Sequence, residues 1–278
     1  MNGIIALDID GTLTHDISSI SPRVLDYLHG LQGTGWTLML LTGRTFSFAH
    51  RIFSRFRVPF YLAVQNGAEV FAMPKENRVY SHFMTRNDVR TIDTLLSPFP
   101  ESYLLYTGST CGDFCYFRPQ AFGPEMLSYL KKLEMISTSP WKAFSSFDGV
   151  EGEGFPLIKY FGTRPVLFDV QSCIDPLRFA STCINDSIEK ERSMLLVGHP
   201  LATKGHALRE LVRRFSLKGP VIAAGDEMND LSLLEAAQYK IAMEDGADEL
   251  KAIADIIAPP AHKEGIIEAL DHIMKTFF

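Results

Sequence analysis

The chain has 278 residues, is 46% hydrophobic and 22% charged, and carries a formal net charge of −6 with a pI near 5.8. A chain of this length buries a core without staples and suggests two domains, while its acidic balance and lack of a long basic block argue against nucleic acid as the main partner. The longest apolar stretches, such as Trp36-Thr37-Leu38-Met39-Leu40-Leu41, fall far short of a membrane span, so no signal peptide and no membrane anchor are expected.

Residues 3–7 form a continuous apolar run that ends in acid and glycine, the pattern of a buried parallel strand opening into a functional loop. Residues 22–31 have helical spacing, with Ser21 as N-cap ahead of Pro22. A second strand, 37–41, stops at Thr42-Gly43-Arg44. A helix over about 46–56 then leads to a third short strand, 61–64, which stops at Gln65-Asn66-Gly67-Ala68. Strands that end in polar or glycine turns and alternate with helices predict βαβαβ and a parallel sheet, whose ligands bind at the carboxyl ends of the strands.

After about residue 82 the texture changes to shorter, more aromatic segments. Strands are expected at 103–106, 115–117 and 157–161, and helices at 87–96, 124–133 and 176–184, an α+β insert rather than more parallel sheet. The earlier pattern then returns, with helices at 206–214, 231–237, 249–254 and 265–274 and strands at 221–224 and 239–243. The four cysteines, at 111, 115, 173 and 183, are too few and scattered for a disulfide framework. Cys111 and Cys115 lack the second pair that a zinc site needs, so reduced thiols and a cytoplasmic location are expected.

Four segments carry chemistry, each at the end of a predicted strand or the start of a predicted helix. They are Asp8-Ile9-Asp10-Gly11-Thr12, Leu41-Thr42-Gly43-Arg44, Thr203-Lys204-Gly205 and Gly225-Asp226-Glu227-Met228-Asn229-Asp230. Singly, the Thr-Gly and Lys-Gly pairs are ordinary turn chemistry, and Asp226 and Asp230 are helix caps. Jointly, and in this order, they point to one site.

In that order the segments resemble the four motifs of the haloacid dehalogenase-like phosphatases. The insert between the second and third, with Gln65-Asn66-Gly67-Ala68 before it, resembles the Cof-type subgroup with an α/β (type 2B) cap. The resemblance implies that Asp8 attacks phosphorus to form an aspartyl-phosphate, and that Asp10 protonates the leaving oxygen and later activates water. It implies Mg²⁺ held by the Asp8 carboxylate, the Asp10 backbone carbonyl and the Asp226 carboxylate. Thr42, the Gly43 N–H, Lys204 and Asn229 would hold the phosphoryl group, and Asp230 would support the metal waters or Lys204.

Elementary electrostatics asks for the same mixture. Two carboxylates about 4 Å apart repel by roughly 4 kcal/mol at an effective dielectric of 20, and a phosphate dianion adds to this, so a divalent cation and an ammonium are needed. A hard, octahedral, oxygen-preferring ion suits such ligands, which makes Mg²⁺ the expected one. The family usually carries Gly-Asn-Ala after the strand at 239–243, where this chain has Glu244-Asp245-Gly246. Those acids are expected to face solvent, as is His15, and Trp141, Phe144 and Phe147 are expected to serve packing.

The expected architecture is α/β. A doubly wound, Rossmann-like core of 1–82 and 200–278 is interrupted by an α+β cap of 83–199 that sets specificity. The expected function is Mg²⁺-dependent hydrolysis of a phosphate monoester on a small metabolite, a sugar phosphate or a phosphorylated cofactor precursor. A phosphosugar mutase and a non-catalytic phospho-ligand binder are the alternatives. The first is separated by product analysis, and the second is disfavoured by the intact Asp8, Asp10, Lys204 and Asp226.

Overall fold

The run Gly3–Asp8 (β1) is buried along its whole length, so it needs no polar alternation and belongs in the middle of a sheet. The computed structural model in which it is seen describes residues 3–278 except 17, 54, 55, 153, 187 and 190. A helix, α1 (Pro22–Gly33), follows; Pro22 occupies its first turn and Ser21 Oγ accepts the Val24 N–H, as the sequence predicts. Then come β2 (Trp36–Leu41), α2 (Phe46–Ile52), β3 (Phe60–Val64) and a hairpin of β4 (Glu69–Met73) and β5 (Asn77–Ser81). Residues 54 and 55, within the predicted span of the second helix, lie outside the described residues.

The middle of the chain contributes α3 (Arg86–Leu96), β6 (Tyr103–Tyr106), β7 (Cys115–Phe117), α4 (Pro124–Ile136) and β8 (Trp141–Ala143). After these come β9 (Leu157–Gly162), α5 (Arg164–Ile174), β10 (Ala180–Asn185) and β11 (Ser193–Gly198). The last part supplies α6 (Lys204–Arg214), β12 (Val221–Gly225), α7 (Leu231–Glu235) and β13 (Tyr239–Met243). It closes with α8 (Asp248–Ile253), β14 (Ile256–Ala258) and α9 (Gly265–Phe277).

Two compact units result. One comprises Met1–Gly43, Ile52–Ser81 and Thr203–Phe278; the other comprises Arg44–Arg51 and His82–Ala202. The first holds an eight-stranded sheet in the order β14-β13-β12-β1-β2-β3-β4-β5, parallel from β14 to β3 and antiparallel only in the β4–β5 flank. The chain builds outward from β1 through β2 and β3, then returns to add β12, β13 and β14 on the other side. The carboxyl ends of β1, β2, β3, β12 and β13 therefore share one edge, at the topological switch point where α/β sheets bind ligands.

In the second unit the sheet runs β10-β11-β9-β6-β7-β8, antiparallel except for β7–β8. Period-two alternation divides its side chains between two cores. Tyr103, Leu105, Ile158, Tyr160, Leu195 and Val197 pack with residues of α3 and α5. Leu104, Tyr106, Leu157, Phe161, Met194 and Leu196 pack with Met126, Tyr129 and Leu130 of α4.

The helix predicted for 176–184 does not form. Asp175–Leu177 makes a single 3₁₀ turn, and β10 then pairs antiparallel with β11, Ala180 opposite Gly198 and Asn185 opposite Ser193. Short apolar spacing cannot tell a helix from a strand, and the Ser-Thr-Cys-Ile run finds a long-range partner that the local pattern does not reveal. The helix of this region is α5, one element earlier. No helix among the described residues is long and apolar enough to cross a membrane.

Candidate functional site

Asp8 is the last residue of β1 and is 3% exposed. The chain turns at once: Leu13 and Thr14 donate their N–H groups to Ile9 O, and the Gly11 N–H reaches Thr14 O at 2.8 Å. Gly11 takes φ +86°, and a Cβ there would lie 2.1 Å from Asp226 Oδ2. The glycine is required twice, for the left-handed turn and for the close approach of Asp226 from the end of β12. Thr12, fully buried, donates its hydroxyl to Asp226 Oδ1 at 3.2 Å and so ties the two strand ends together.

Lys204 opens α6 and is 1% exposed. Its Nζ donates to Asp8 Oδ1 and, at 2.5 Å, to Asp230 Oδ1. A helix start reaches this position because α6 and α7 pack very closely: a Cβ on Gly205 would fall 1.9 Å from Ser232 O, and the Gly205 N–H donates to Ser232 Oγ. Thr203 caps the helix, its hydroxyl accepting the His206 N–H. Asp230 is fixed from its other oxygen, which accepts the backbone N–H groups of Asp226 and Glu227 at 3.1 and 3.2 Å.

The end of β2 adds Thr42, whose hydroxyl donates to Asp10 Oδ2 at 3.0 Å, with Gly43 next to it. The end of β3 adds Asn66, whose side-chain oxygen accepts from Asn229 Nδ2 at 3.0 Å. All eight predicted site residues therefore fall at strand ends or the α6 start of the first unit. Asp8, Lys204, Asp226 and Asp230 meet directly, Thr42 bonds Asp10, and Asn229 bonds Asn66.

Three carboxylates face one ammonium, and their electrostatics follow. Burial first, then the Asp230 charge, pushes the Asp8 carboxyl up to about 8, against the pull of Lys204. Asp226 is held well above the usual carboxylate range by burial and then by Asp8 and Asp230. Burial works against the Lys204 ammonium, yet Asp230 and Asp8 together override it and raise its pKa. The two directions share one cause: three carboxylates crowd a single buried ammonium, which favours the protonated forms of Asp8 and Asp226 and keeps the proton on Lys204.

This donor set fits a hard divalent cation. Carboxylate oxygens of Asp8, Asp226 and Asp230 lie within 4.8 Å of one another, the one such grouping among the described residues. Asp8 Oδ2 is buried and accepts no hydrogen bond from the described residues, although a buried carboxylate oxygen without a partner is costly. A cation at that oxygen would remove the deficit and offset the repulsion between carboxylates.

Other sequence expectations resolve simply. Glu244 and Asp245 are exposed, whereas Gly246 packs on the Asp226 backbone, where a Cβ would come 2.6 Å from Asp226 O. His15 is exposed, 3.8 Å from Asp16. Phe147 lies in one core of the second unit with Phe144 against it, and Trp141 packs on the other. The four cysteines are free. Sequence reasoning gave no role to Thr12, Ser232 or Asn66. Thr12 lies in the first motif and Asn66 in an Asn-Gly pair at a strand end, so both carried a signal, whereas Ser232 carried none.

A family model described as haloacid dehalogenase-like hydrolase matches residues 5–270. The phosphatase YwpJ of Bacillus subtilis is 26% identical over 286 residues, covering 98% of this chain and 99% of its own. The solved structure of a haloacid dehalogenase-like hydrolase from B. subtilis matches with a TM-score of 0.78 at 24% identity, covering 99% of each chain. A subclass IIB sugar phosphatase of the same superfamily matches with a TM-score of 0.73 at 18% identity, again covering 99% of both chains.

Proposed function

This chain belongs to the haloacid dehalogenase-like hydrolase family and is a phosphatase, and we propose that it hydrolyses phosphate monoesters of small metabolites through an aspartyl-phosphate on Asp8. Sugar phosphates lead the expected substrates, in keeping with the sugar phosphatase that shares the fold. The observation that carries the reading is the buried Asp8 carboxylate, one oxygen held by Lys204 and the other without a hydrogen bond from the described residues, beside Asp226 and Asp230.

The steps follow from the groups present. An Asp8 oxygen bonds to phosphorus as the ester P–O bond breaks, and the departing oxygen takes a proton from Asp10, which the Thr42 hydroxyl holds by its Oδ2. Water then attacks phosphorus, its proton passes to Asp10, and the bond between phosphorus and Asp8 breaks, releasing phosphate and restoring both aspartates. Lys204 has three N–H groups; Asp8 and Asp230 take two, which leaves one for a phosphoryl oxygen. Thr42, the Gly43 N–H and Asn229 supply further donors, and the second unit, with its separate core, selects among substrates. Mg²⁺ bound by the Asp8 and Asp226 carboxylates and the Asp10 carbonyl, with Asp230 supporting the metal waters or Lys204, would supply positive charge to offset that of the phosphoryl group.

The test is a panel of phosphorylated metabolites with released phosphate measured in Mg²⁺ and in excess chelator. Turnover that needs a divalent ion and yields free phosphate is expected. Full activity in chelator, or an isomerised sugar phosphate in place of free phosphate, contradicts the reading.

A further inference from the structure

The mechanism gives the Gln65-Asn66-Gly67-Ala68 turn no task, yet it touches three of the elements that would hold phosphate. Asn66 is 7% exposed and sits at φ +59°, in the left-handed region that asparagine tolerates better than most residues other than glycine. Its backbone N–H donates to Thr42 O at 2.9 Å, tying it to the loop after β2. Its side-chain oxygen accepts from Asn229 Nδ2 at 3.0 Å and would lie 3.4 Å from a Cβ built on Gly43. Gly67, at φ +90°, presses on the start of α6: a Cβ there would meet Thr203 O and the Ala207 Cβ, each at 2.8 Å. One turn thus joins the Thr42-Gly43 loop, Asn229 and the helix that presents Lys204.

We infer that Asn66 is a positioning residue of the phosphate site, which acts by holding the Asn229 side-chain amide in the orientation that offers an N–H to the phosphoryl group. The inference rests on the phosphatase reading above. A primary amide is nearly symmetric in shape but not in charge: its NH₂ end attracts a phosphoryl oxygen and its carbonyl end repels one. With one Nδ2 hydrogen given to the Asn66 oxygen, the Asn229 amide is locked against rotation and its second N–H is left for the ligand. Without that acceptor the carbonyl end can turn into the site.

The variant that isolates this role is Asn66→Gly, which keeps the left-handed backbone and the N–H to Thr42 O and deletes only the side-chain acceptor. Binding of inorganic phosphate to the full chain in Mg²⁺ is measured for wild type, Asn66→Gly, Asn229→Ala and the double variant. Asn66→Gly should weaken phosphate binding about 10-fold, and adding Asn229→Ala to it should cost almost nothing further, because the donor is already mispositioned. Asn66→Asp serves as the second variant should the glycine variant fail to fold. It keeps an acceptor oxygen, so adding Asn229→Ala to it should cost about the same 10-fold as in wild type.

Wild-type affinity in Asn66→Gly, effects of Asn66→Gly and Asn229→Ala that simply multiply, or no further loss when Asn229→Ala is added to Asn66→Asp would each overturn the inference. Wild-type protein that neither binds phosphate nor releases it from any ester would instead bring down the phosphatase reading, and this inference with it.

Discussion

Asp186 in the second unit and Asp8 in the first are both buried almost completely, and the two are treated in opposite ways. In the second unit Asp186, 2% exposed, accepts from the Tyr129 hydroxyl at one oxygen and from the Ile188 N–H at 3.0 Å at the other. The Arg192 guanidinium lies 4.6 Å from the centre of the Tyr129 ring. In the first unit Asp8, 3% exposed, has one oxygen on Lys204 and the other without a hydrogen bond among the described residues, with two more aspartates close by. Asp186 has both oxygens filled by its own unit, whereas Asp8 is left short beside two further carboxylates, and that combination is where a cation and a phosphoryl group would be recognised.

The largest expected effect sets these two residues against each other. Asp8→Asn should remove turnover by on the order of 10⁴-fold or more, since an amide is a poor nucleophile, while leaving the fold intact. Asp186→Asn should leave kcat/KM within about twofold but cost about 1–3 kcal/mol of stability, because its single amide oxygen cannot accept from both the Tyr129 hydroxyl and the Ile188 N–H. Steady-state kinetics and urea unfolding on the same pair of variants read both. An active Asp8→Asn, or an Asp186→Asn with native stability, breaks the comparison.

Next in size is Asp10→Asn, expected to slow both formation and breakdown of the phosphoenzyme by about 10²–10⁴-fold each through loss of the general acid and base. Rapid-quench measurement of the two steps checks this. Slowing of only one of them would take Asp10 out of one role.

Acidity gives a smaller, graded effect. The Asp8 carboxyl of the metal-free protein is raised to about 8, so its contribution to stability is complete below the ordinary aspartate value and is lost as pH rises through about 8. A divalent ion requires the ionised forms of Asp8 and Asp226, both held above the usual carboxylate range, so Mg²⁺ affinity should rise by at least several-fold between pH 6 and 8. Calorimetric titration at several pH values measures the trend, and a flat profile between pH 6 and 8 contradicts it.

The smallest expected effect concerns the acids that depart from the family pattern. Glu244 and Asp245 are exposed, so the double variant Glu244→Gln, Asp245→Asn should change kcat/KM by less than about twofold at ordinary ionic strength. A large change would mean that surface charge reaches the site.

The chemistry was legible where it is local. Asp8, Thr42, Asn66, Asp226 and the Glu244-Asp245-Gly246 turn each announce themselves as the polar end of an apolar run, and a parallel sheet brings such ends to one edge. What stayed hidden depends on residues far apart in sequence. Thr12 bonds Asp226 across 214 positions, and Asn66 bonds Asn229 across 163. The closeness of α6 and α7 at Gly205 and Ser232 has no trace in either segment alone. The same limit explains β10, whose partner β11 decides its conformation, and α5, which the sequence reading left unassigned.

The central claim is a covalent phosphoenzyme on Asp8, and trapping tests it most directly. Enzyme turning over a phosphate ester in Mg²⁺ is quenched in acid, treated with borohydride and digested, and the peptide that spans β1 and its loop is sequenced by mass. Reduction of an aspartyl-phosphate gives homoserine, so the account expects homoserine at position 8, in an amount that follows the steady-state phosphoenzyme and is absent without substrate or in Asp8→Asn. An unmodified Asp8 throughout turnover, together with inversion of configuration at a chirally labelled phosphorus, would mean direct attack by water and would contradict it.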